Sequence, residues 1–248
     1  MVSGDILIAA AVPDEIEDLI KNLSGATPEQ AGGRELLRGR IGRQAVRLLV
    51  TGPGIANTVQ GLTAAIEKDR PGLILQTGCG GGFSEAGIQI GDVAVASAEI
   101  DAHLGLEPAV PESAIGPLPF PVIQKPGQAI FNQYPVAVDI SDQALRALNA
   151  ASAAVGVPVH GGPFVTVATV TTTAARTAWL HGHFGALIEN MEGAGAAHVA
   201  LLYDLPFLEI RAVSNLVGDR DKRRWDLPLS FKHSAQAVQW YLANRPSN

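Results

Sequence analysis

The sequence predicts an α/β fold, a three-layer sandwich in which helices flank a central mixed, largely parallel twisted sheet. Short β-branched runs alternate with longer segments rich in Ala and Leu, as in chains built from βαβ crossovers. A large core is available, because 47% of the 248 residues are hydrophobic and 17% are charged, against about 25% in an average chain. We expect one domain over residues 1–248.

The predicted strands and helices alternate along almost the whole chain. The strands are the short apolar runs Ile6–Val12, Ala45–Val50, Leu73–Thr77, Asp92–Ala98, Phe164–Ala168, Leu187–Ile188 and Phe207–Val213. The helices begin at Asp14, Ile55 and Ala174 or cover Ser141–Ala154, Gly193–Tyr203 and Leu229–Asn244. The stretch Glu107–Pro135 is rich in proline and lacks periodicity, so we expect a functional or mobile loop, either a lid or an oligomer contact.

Charge and composition argue against several kinds of partner. The net charge is −6 and no dense basic face is evident, so a nucleic-acid partner is not expected. No apolar segment approaches the roughly 20 residues that span a bilayer, and the first residues lack the positive charge of a secretory signal. Cys79 is the single cysteine, which excludes an intramolecular disulfide. We therefore expect a cytoplasmic protein that has no membrane partner and binds a small molecule.

Unusual residues follow five of the predicted strands. They are Glu15, the run Gly78–Gly82, the segment Thr169–Thr173, the pair Met191–Glu192, and Asn215. Ligands of open α/β sheets bind outside the carboxyl ends of the strands. The sequence therefore predicts that all five groups lie on one rim of the sheet and form a binding site there.

The run Thr77-Gly-Cys-Gly-Gly-Gly82 favours a loop whose N–H groups hold an oxygen-rich ligand, with a tight strand-to-helix turn as the alternative. The shorter string Gly52-Pro-Gly54 lacks the spaced third glycine and the following acid of a dinucleotide site. We expect no cofactor. His181 and His183 have no acidic or cysteine partner at metal-ligand spacing, so no metal is expected either.

Glu15 and Glu192 each fall in the first turn of a predicted helix, where the dipole alone stabilises a carboxylate. Glu192 also begins a helix of unusually small residues, "MEGAGAAHVALLY", which allows close backbone packing. A carboxylate held rigidly there could accept hydrogen bonds from a vicinal diol. One carboxylate for water and one for sugar hydroxyls together predict glycosidic-bond chemistry.

The strings "AAAVPDEI", "TGCGGG", "NMEGAGAAHVA" and "EIRAVSNLVGDRD" resemble the nucleoside phosphorylase and methylthioadenosine nucleosidase superfamily, in the right order over almost the whole chain. Within it, the Ser-Asn-x-Val-Gly-x-Arg-Asp string is most similar to the futalosine hydrolases. The resemblance implies a nucleoside phosphorylase-like fold and a homodimer or higher homo-oligomer. It also implies hydrolysis of a purine nucleoside, futalosine, to release hypoxanthine.

The resemblance further implies roles for single residues. Glu15 matches the carboxylate that activates the attacking water, and Met191 and Glu192 match the pair that holds the ribose. Asn215 lies where relatives place the residue that reads the purine. Further substrate-binding residues are expected in the glycine run and in the segment that lines the base pocket: Gly78, Cys79, Gly80, Gly81, Thr169, Val170 and Thr171.

Two departures from the family pattern bear on the reaction. Gln76 stands where phosphorylases with a related glycine loop place an arginine, so phosphate loses a bidentate partner and water becomes the expected nucleophile. Asn215 stands where adenine-specific nucleosidases have Asp, and a carboxamide can donate to a 6-oxo group or to N7. The first departure favours a hydrolase over a phosphorylase, and the second favours a hypoxanthine-type base.

Three points stay open at this level. The benzoate carboxylate of futalosine needs a cation, for which Arg220 and its neighbours Lys222, Arg223 and Arg224 are candidates, with a surface role as the alternative. The enzyme could instead be an adenine-specific nucleosidase acting on methylthioadenosine, S-adenosylhomocysteine or the amino form of futalosine. The protein could also bind a purine nucleoside without catalysing its cleavage.

Overall fold

The strand order explains how distant segments meet at one site. The computed structural model describes residues 4–107 and 115–245, without the side chains of 153–155. Its strands are β1 (Ile6–Ala10), β2 (Ser24–Ala31), β3 (Arg34–Ile41), β4 (Gln44–Val50), β5 (Leu73–Gly82), β6 (Val93–Asp101), β7 (Ile123–Lys125), β8 (Gln128–Ile130), β9 (Gln133–Pro135), β10 (Val159–Thr166), β11 (Ile188–Asn190) and β12 (Phe207–Leu216). The main sheet runs β11-β10-β6-β12-β5-β1-β4-β3-β2, and β9 joins it at β6.

The sheet is mixed. Strand β1 pairs in parallel with β4 and β5, β5 with β12, and β10 with β6 and β11. The pairings of β12 with β6 and of β11 with β5 are antiparallel. Because β11 pairs with both β10 and β5, strands β5, β12, β6, β10 and β11 close into a ring of pairings. That closure directs side chains of β11 and β12 toward one interior.

Helices cover both faces of the sheet. They are α1 (Glu17–Lys21), α2 (Ile55–Lys68), α3 (Val138–Val155), α4 (Ala174–Phe184), α5 (Gly193–Leu202) and α6 (Leu227–Asn244). Successive side chains of a strand point to opposite faces of the sheet, and the residues of β1 follow this alternation. Leu7 packs in the same cluster as residues of α2 and α5, whereas Ile6 and Ile8 pack with residues of α1, α3 and α6. The result is a three-layer sandwich.

The structure corrects three expectations about the elements. A hairpin of β2 and β3 stands where no strand was predicted, and it turns at Gly32 and Gly33, whose positive φ values suit glycine. The run Gly78–Gly82 is part of strand β5, so the prediction of a loop there is wrong. The stretch Glu107–Pro135 contains β7, β8 and β9, although residues 108–114 of that predicted loop lie outside the described residues.

Candidate active site

A cavity of about 500 Å³ opens at the carboxyl ends of β1, β5, β11 and β12. This edge of the sheet is where α/β folds bind ligands. The lining residues are Ala11, Val12, Asp14, Glu15, Cys79, Gly80, Gly81, Val167, Val170, Glu189, Asn190, Met191, Glu192, Arg211, Ser214, Asn215, Arg220, Trp225, Leu227 and Phe231. Members of all five predicted groups therefore meet at one rim. A second depression, near Phe131, has no charged residue among the described residues that line it.

Glu15 is held in a short 3₁₀ turn directly after β1 and is 3% exposed. Its Oε2 atom accepts the N–H groups of Ala11 at 2.8 Å and Val12 at 3.1 Å. Its Oε1 atom accepts the N–H of Cys79 at 2.9 Å. Burial raises the pKa of Glu15, although the charge of Arg211 and the backbone donors oppose the rise. The carboxylate is thus rigidly placed and more basic than an exposed glutamate, which suits a general base.

Gly78 makes room for that carboxylate. A Cβ atom at Gly78 would lie 2.3 Å from Oε1 of Glu15, and its φ of +138° disfavours any side chain. Gly78 itself does not line the cavity, whereas Cys79, Gly80 and Gly81 do. Burial raises the pKa of the Cys79 thiol to about 12, with a further contribution from Glu15, so the thiol is uncharged at neutral pH.

The N–H groups of the glycine run do not form the free cradle that a loop would offer. Strand β5 pairs with β12 on one side and with β11 on the other, and the N–H of Cys79 is bonded to Glu15. The glycines serve packing instead, since a Cβ at Gly80 would lie 2.5 Å from Cγ2 of Ile188. Small residues here let the three strands β5, β11 and β12 approach closely.

Glu192 lies at the N-terminus of α5 and is 4% exposed. Its Oε1 atom accepts a hydrogen bond from the N–H of Gly54 at 2.9 Å, and its Oε2 atom accepts one from Nη2 of Arg211 at 3.0 Å. The N-terminus of α5 can pack directly against Glu99 of β6 because Gly193 has no side chain. A Cβ atom at Gly193 would lie 2.1 Å from Oε1 of Glu99. The small residues that start α5 therefore have the close-packing role expected of them.

Arg211 joins the two predicted carboxylates into one network, and the sequence prediction missed it. Its Nη1 atom donates to the carbonyl of Cys79 at 2.7 Å and its Nε to Oε1 of Glu209 at 2.7 Å. Burial opposes its charge, but the carboxylates of Glu209, Glu192 and Glu15 outweigh that effect and raise its pKa. A charged residue inside an apolar strand, "FLEIRAV", was the available signal.

Asn215 and Met191 line the cavity. The hydroxyl of Ser214 lies 2.8 Å from Oδ1 of Asn215, and Nδ2 of Asn215 donates to the Leu216 carbonyl at 3.2 Å. When the Ser214 hydroxyl donates to Oδ1, the Nδ2 group of the amide is left as the donor that a ligand can use.

The segment Thr169–Thr171 contributes unequally. Val170 lines the cavity and is 38% exposed, whereas Thr169 is exposed outside it. Thr171 is buried and does not line the cavity, but its N–H donates to Oε1 of Glu189 at 3.1 Å. Glu189 is a lining residue that the sequence prediction did not single out.

Arg220 is the member of the basic cluster that lines the cavity, and its guanidinium lies 4.9 Å from the ring centroid of Trp225. Arg223 and Arg224 have side chains 89% and 71% exposed and pair with Asp221 and Asp219. Lys222 is also exposed. Arg220 is therefore placed to meet a ligand, and its three neighbours are on the surface.

Two further properties concern the described residues as a whole. No group of three or more His, Cys, Asp and Glu residues within 4–107 and 115–245 is arranged to hold a metal ion. In the same ranges, no helix has the length and apolar character that crossing a bilayer requires.

Comparisons with known proteins agree with this fold. The sequence profile described as "Phosphorylase superfamily" matches residues 5–242. The chain is 35% identical over 232 residues to a futalosine hydrolase of Acidothermus cellulolyticus, covering 93% of this chain and 87% of that protein. It is 27% identical to a 5'-methylthioadenosine/S-adenosylhomocysteine nucleosidase of Haemophilus ducreyi, covering 96% and 97%.

The fold is also similar to a solved structure, that of S-adenosylhomocysteine nucleosidase from Streptococcus pyogenes in complex with 5-methylthiotubericidin. The TM-score is 0.83, with 24% sequence identity and coverage of 100% of this chain and 99% of that one. The nucleoside phosphorylase-like sandwich expected from the sequence is thereby confirmed.

Proposed function

This chain belongs to the phosphorylase superfamily, and we propose that it hydrolyses the N-glycosidic bond of futalosine, releasing hypoxanthine and dehypoxanthinyl futalosine in the alternative pathway of menaquinone biosynthesis. One observation carries the proposal. Two buried carboxylates, Glu15 and Glu192, line one cavity and are fixed in different ways, Glu15 by three backbone N–H groups and Glu192 by Arg211 and Gly54. Similarity to futalosine hydrolase supports the substrate.

The roles of the two carboxylates follow from their surroundings. Glu15 orients a water molecule and takes its proton, because burial raises its pKa and makes it a stronger base than an exposed glutamate. Glu192, held by Arg211, accepts hydrogen bonds from the ribose hydroxyls. The water oxygen bonds to C1' of the ribose while the C1'–N9 bond breaks, through a transition state with oxocarbenium character.

The departing purine carries the electron pair of the broken bond. Asn215 stabilises it by donating from Nδ2 to N7 or O6, but an amide has no acidic proton to give. Asp219 does not line the cavity and is paired with Arg224, so it is not placed to protonate the purine. Solvent supplies that proton in the proposed reaction.

Water rather than phosphate is the proposed nucleophile. Gln76, at the position of the phosphorylase arginine, is fully buried and does not line the cavity. The guanidinium of Arg211 is occupied by Glu192, Glu209 and the Cys79 carbonyl. Beside Glu15 and Glu192 a phosphate dianion would therefore meet two carboxylates, and the guanidinium of Arg211 next to them is already occupied.

The second candidate function is that of an adenine-specific nucleosidase, favoured by the similarity to the Haemophilus ducreyi relative. The two are separated by product analysis of the purified protein. Futalosine is incubated in phosphate-free buffer and with phosphate, and the purine and sugar products are identified by chromatography with mass spectrometry. We expect hypoxanthine and the free sugar at equal rates in both buffers. A sugar 1-phosphate as the main product, or no cleavage of futalosine, contradicts the proposal.

A further inference from the structure

Glu189 is a buried carboxylate that the proposed mechanism does not use. It lies on β11, lines the cavity and is 7% exposed. Its Oε1 atom is fixed by the N–H of Thr171. Within the described ranges 4–107 and 115–245, its Oε2 atom is buried and has no hydrogen-bond partner. Leaving a buried carboxylate oxygen unpaired is unfavourable, so this atom points to a ligand that brings a donor.

Glu189 and Asn215 flank the same glycine. Strand β11 pairs Glu189 with Gly81, and strand β12 pairs Asn215 with Gly81 from the other side. Neighbouring strands lie about 4.8 Å apart, so the two Cα atoms are about 10 Å apart with Gly81 between them. Both side chains line the cavity. A flat ring lying over Gly81 can therefore present one edge to Glu189 and another to Asn215.

The purine ring of a 6-oxopurine nucleoside matches this pair. Hypoxanthine carries a hydrogen-bond donor at N1 and acceptors at O6 and N7, whereas adenine carries an acceptor at N1 and a donor at the 6-amino group. An ionised carboxylate can only accept, and an amide nitrogen can only donate. Glu189 thus complements N1–H, and Asn215 complements O6 or N7. Adenine would set its N1 lone pair against the carboxylate.

Opposing influences act on the ionisation of Glu189. Burial raises the pKa of Glu189, but hydrogen bonds from Thr171 and the positive charges of Arg176 and Arg220 oppose the rise. Thr171 also fixes the direction of the carboxylate through Oε1. The free Oε2 atom is therefore held in one place as an acceptor.

We propose that Glu189 accepts a hydrogen bond from N1–H of the purine and, with Asn215, selects a 6-oxopurine over a 6-aminopurine. This inference rests on the proposed function, which supplies the purine nucleoside, and it adds a specificity-determining residue. The backbone N–H of Thr171 holds the Glu189 carboxylate through Oε1.

The test compares three substrates: futalosine, its 6-amino counterpart, and futalosine methylated at N1, which lacks the donor. kcat/KM is measured for the wild type, Glu189→Gln and Glu189→Ala, with Glu35→Gln as the matched control because Glu35 is exposed outside the cavity. Glutamine can accept from N1–H or donate to N1 of adenine. Melting temperatures establish that each variant is folded. If Glu189→Ala does not fold, the ratio of kcat/KM for the 6-oxo and 6-amino substrates in Glu189→Gln decides whether Glu189 reads the base.

We expect N1 methylation to lower wild-type kcat/KM about ten- to a hundredfold, the effect of one charge-assisted hydrogen bond. In Glu189→Ala the methylation penalty should shrink to less than threefold. In Glu189→Gln the preference for the 6-oxo substrate should fall at least tenfold, while Glu35→Gln keeps the wild-type ratio.

The outcomes separate this inference from the proposed function. An unchanged 6-oxo to 6-amino ratio in both Glu189 variants, or the same methylation penalty in wild type and Glu189→Ala, overturns the role of Glu189 alone. Failure of the wild type to release hypoxanthine from futalosine overturns the proposed function itself.

Discussion

Nη2 of Arg211 lies 3.0 Å from Oε2 of Glu192, and both side chains are almost completely buried. The same guanidinium reaches Glu209 and the carbonyl of Cys79, whose N–H binds Glu15. One strand residue therefore connects both carboxylates of the site. The carboxylates proposed to bind the ribose and to activate the water therefore belong to one buried network.

Replacing Arg211 with methionine should strongly destabilise the protein, because the buried carboxylates of Glu192 and Glu209 would lose their ion pairs with the guanidinium. Breaking a buried ion pair from one side costs about 3–5 kcal/mol. The free energy of unfolding, measured with urea, should fall by that amount. Arg223→Met, which removes an exposed ion pair with Asp221, is the control and should change it little. A fall of less than about 1 kcal/mol for Arg211→Met would mean that the network is not a main source of stability.

Glu15→Gln should abolish most turnover while leaving substrate binding largely intact. The amide has nearly the same size and shape but cannot take a proton from water. General base catalysis contributes about 10²–10⁴-fold, so kcat on futalosine should fall within that range. Binding of futalosine to the variant is measured by calorimetry. If kcat falls less than threefold, Glu15 is not the base.

Glu99 and Glu209 form a buried pair that should make stability depend on pH. Burial raises the pKa of Glu99 well above its usual value, and the charge and hydrogen bond of Glu209 add to the rise. The folded protein therefore keeps the Glu99 proton at pH values above 4.5, where the unfolded chain has lost it. This contribution to stability is fully present below that pH and is lost as pH rises through the folded-state pKa.

Glu99→Gln mimics the protonated acid at every pH, so it should not show that loss. The difference in unfolding free energy, variant minus wild type, should become more positive between pH 5 and 8. The slope is about 1.4 kcal/mol per pH unit while the proton is retained by the folded state alone. Urea unfolding at several pH values measures it. A difference that does not change with pH would show that Glu99 and Glu209 do not share a proton.

Much of the rim could be predicted from the sequence, because strand ends are local features. Glu15, Met191, Glu192 and Asn215 directly follow apolar runs, and parallel strands bring such ends together. The fold class was predictable for the same reason, since the alternation of strands and helices is visible along the chain. The first and last residues of the strands and helices were less predictable than the fold class.

The residues that were missed depend on non-local pairing. Glu189 lies within β11, which pairs with β10 and β5, and Arg211 lies within β12, which pairs with β5 and β6; both residues line the cavity. Gly78–Gly82 has weak strand propensity, and pairing on both sides overrides it. The β2–β3 hairpin is largely exposed, so it lacks the apolar signature used for the other strands.

Arg220→Ala should separate recognition of the benzoate carboxylate from recognition of the nucleoside. Arg220 is the cavity-lining member of its cluster, and a charge-assisted hydrogen bond of about 1.5–3 kcal/mol corresponds to a ten- to hundredfold loss. kcat/KM should fall by that factor on futalosine and remain nearly unchanged on inosine. Arg223→Ala should leave both substrates unaffected. Equal losses on both substrates for Arg220→Ala would instead indicate a role in folding of the loop.

We propose that this site hydrolyses a 6-oxopurine nucleoside and reads the base through Asn215. It is tested most directly by offering futalosine and its 6-amino counterpart together, at equal concentration, and measuring the ratio of hypoxanthine to adenine released by the wild type and by Asn215→Asp at neutral pH. We predict that the wild type releases mainly hypoxanthine. The aspartate loses the amide donor and faces O6 with a carboxylate, so the variant should shift the ratio toward adenine, by up to about 10⁴-fold if the mismatch is fully buried. Preferential release of adenine by the wild type, or the same ratio for both proteins, would contradict the claim.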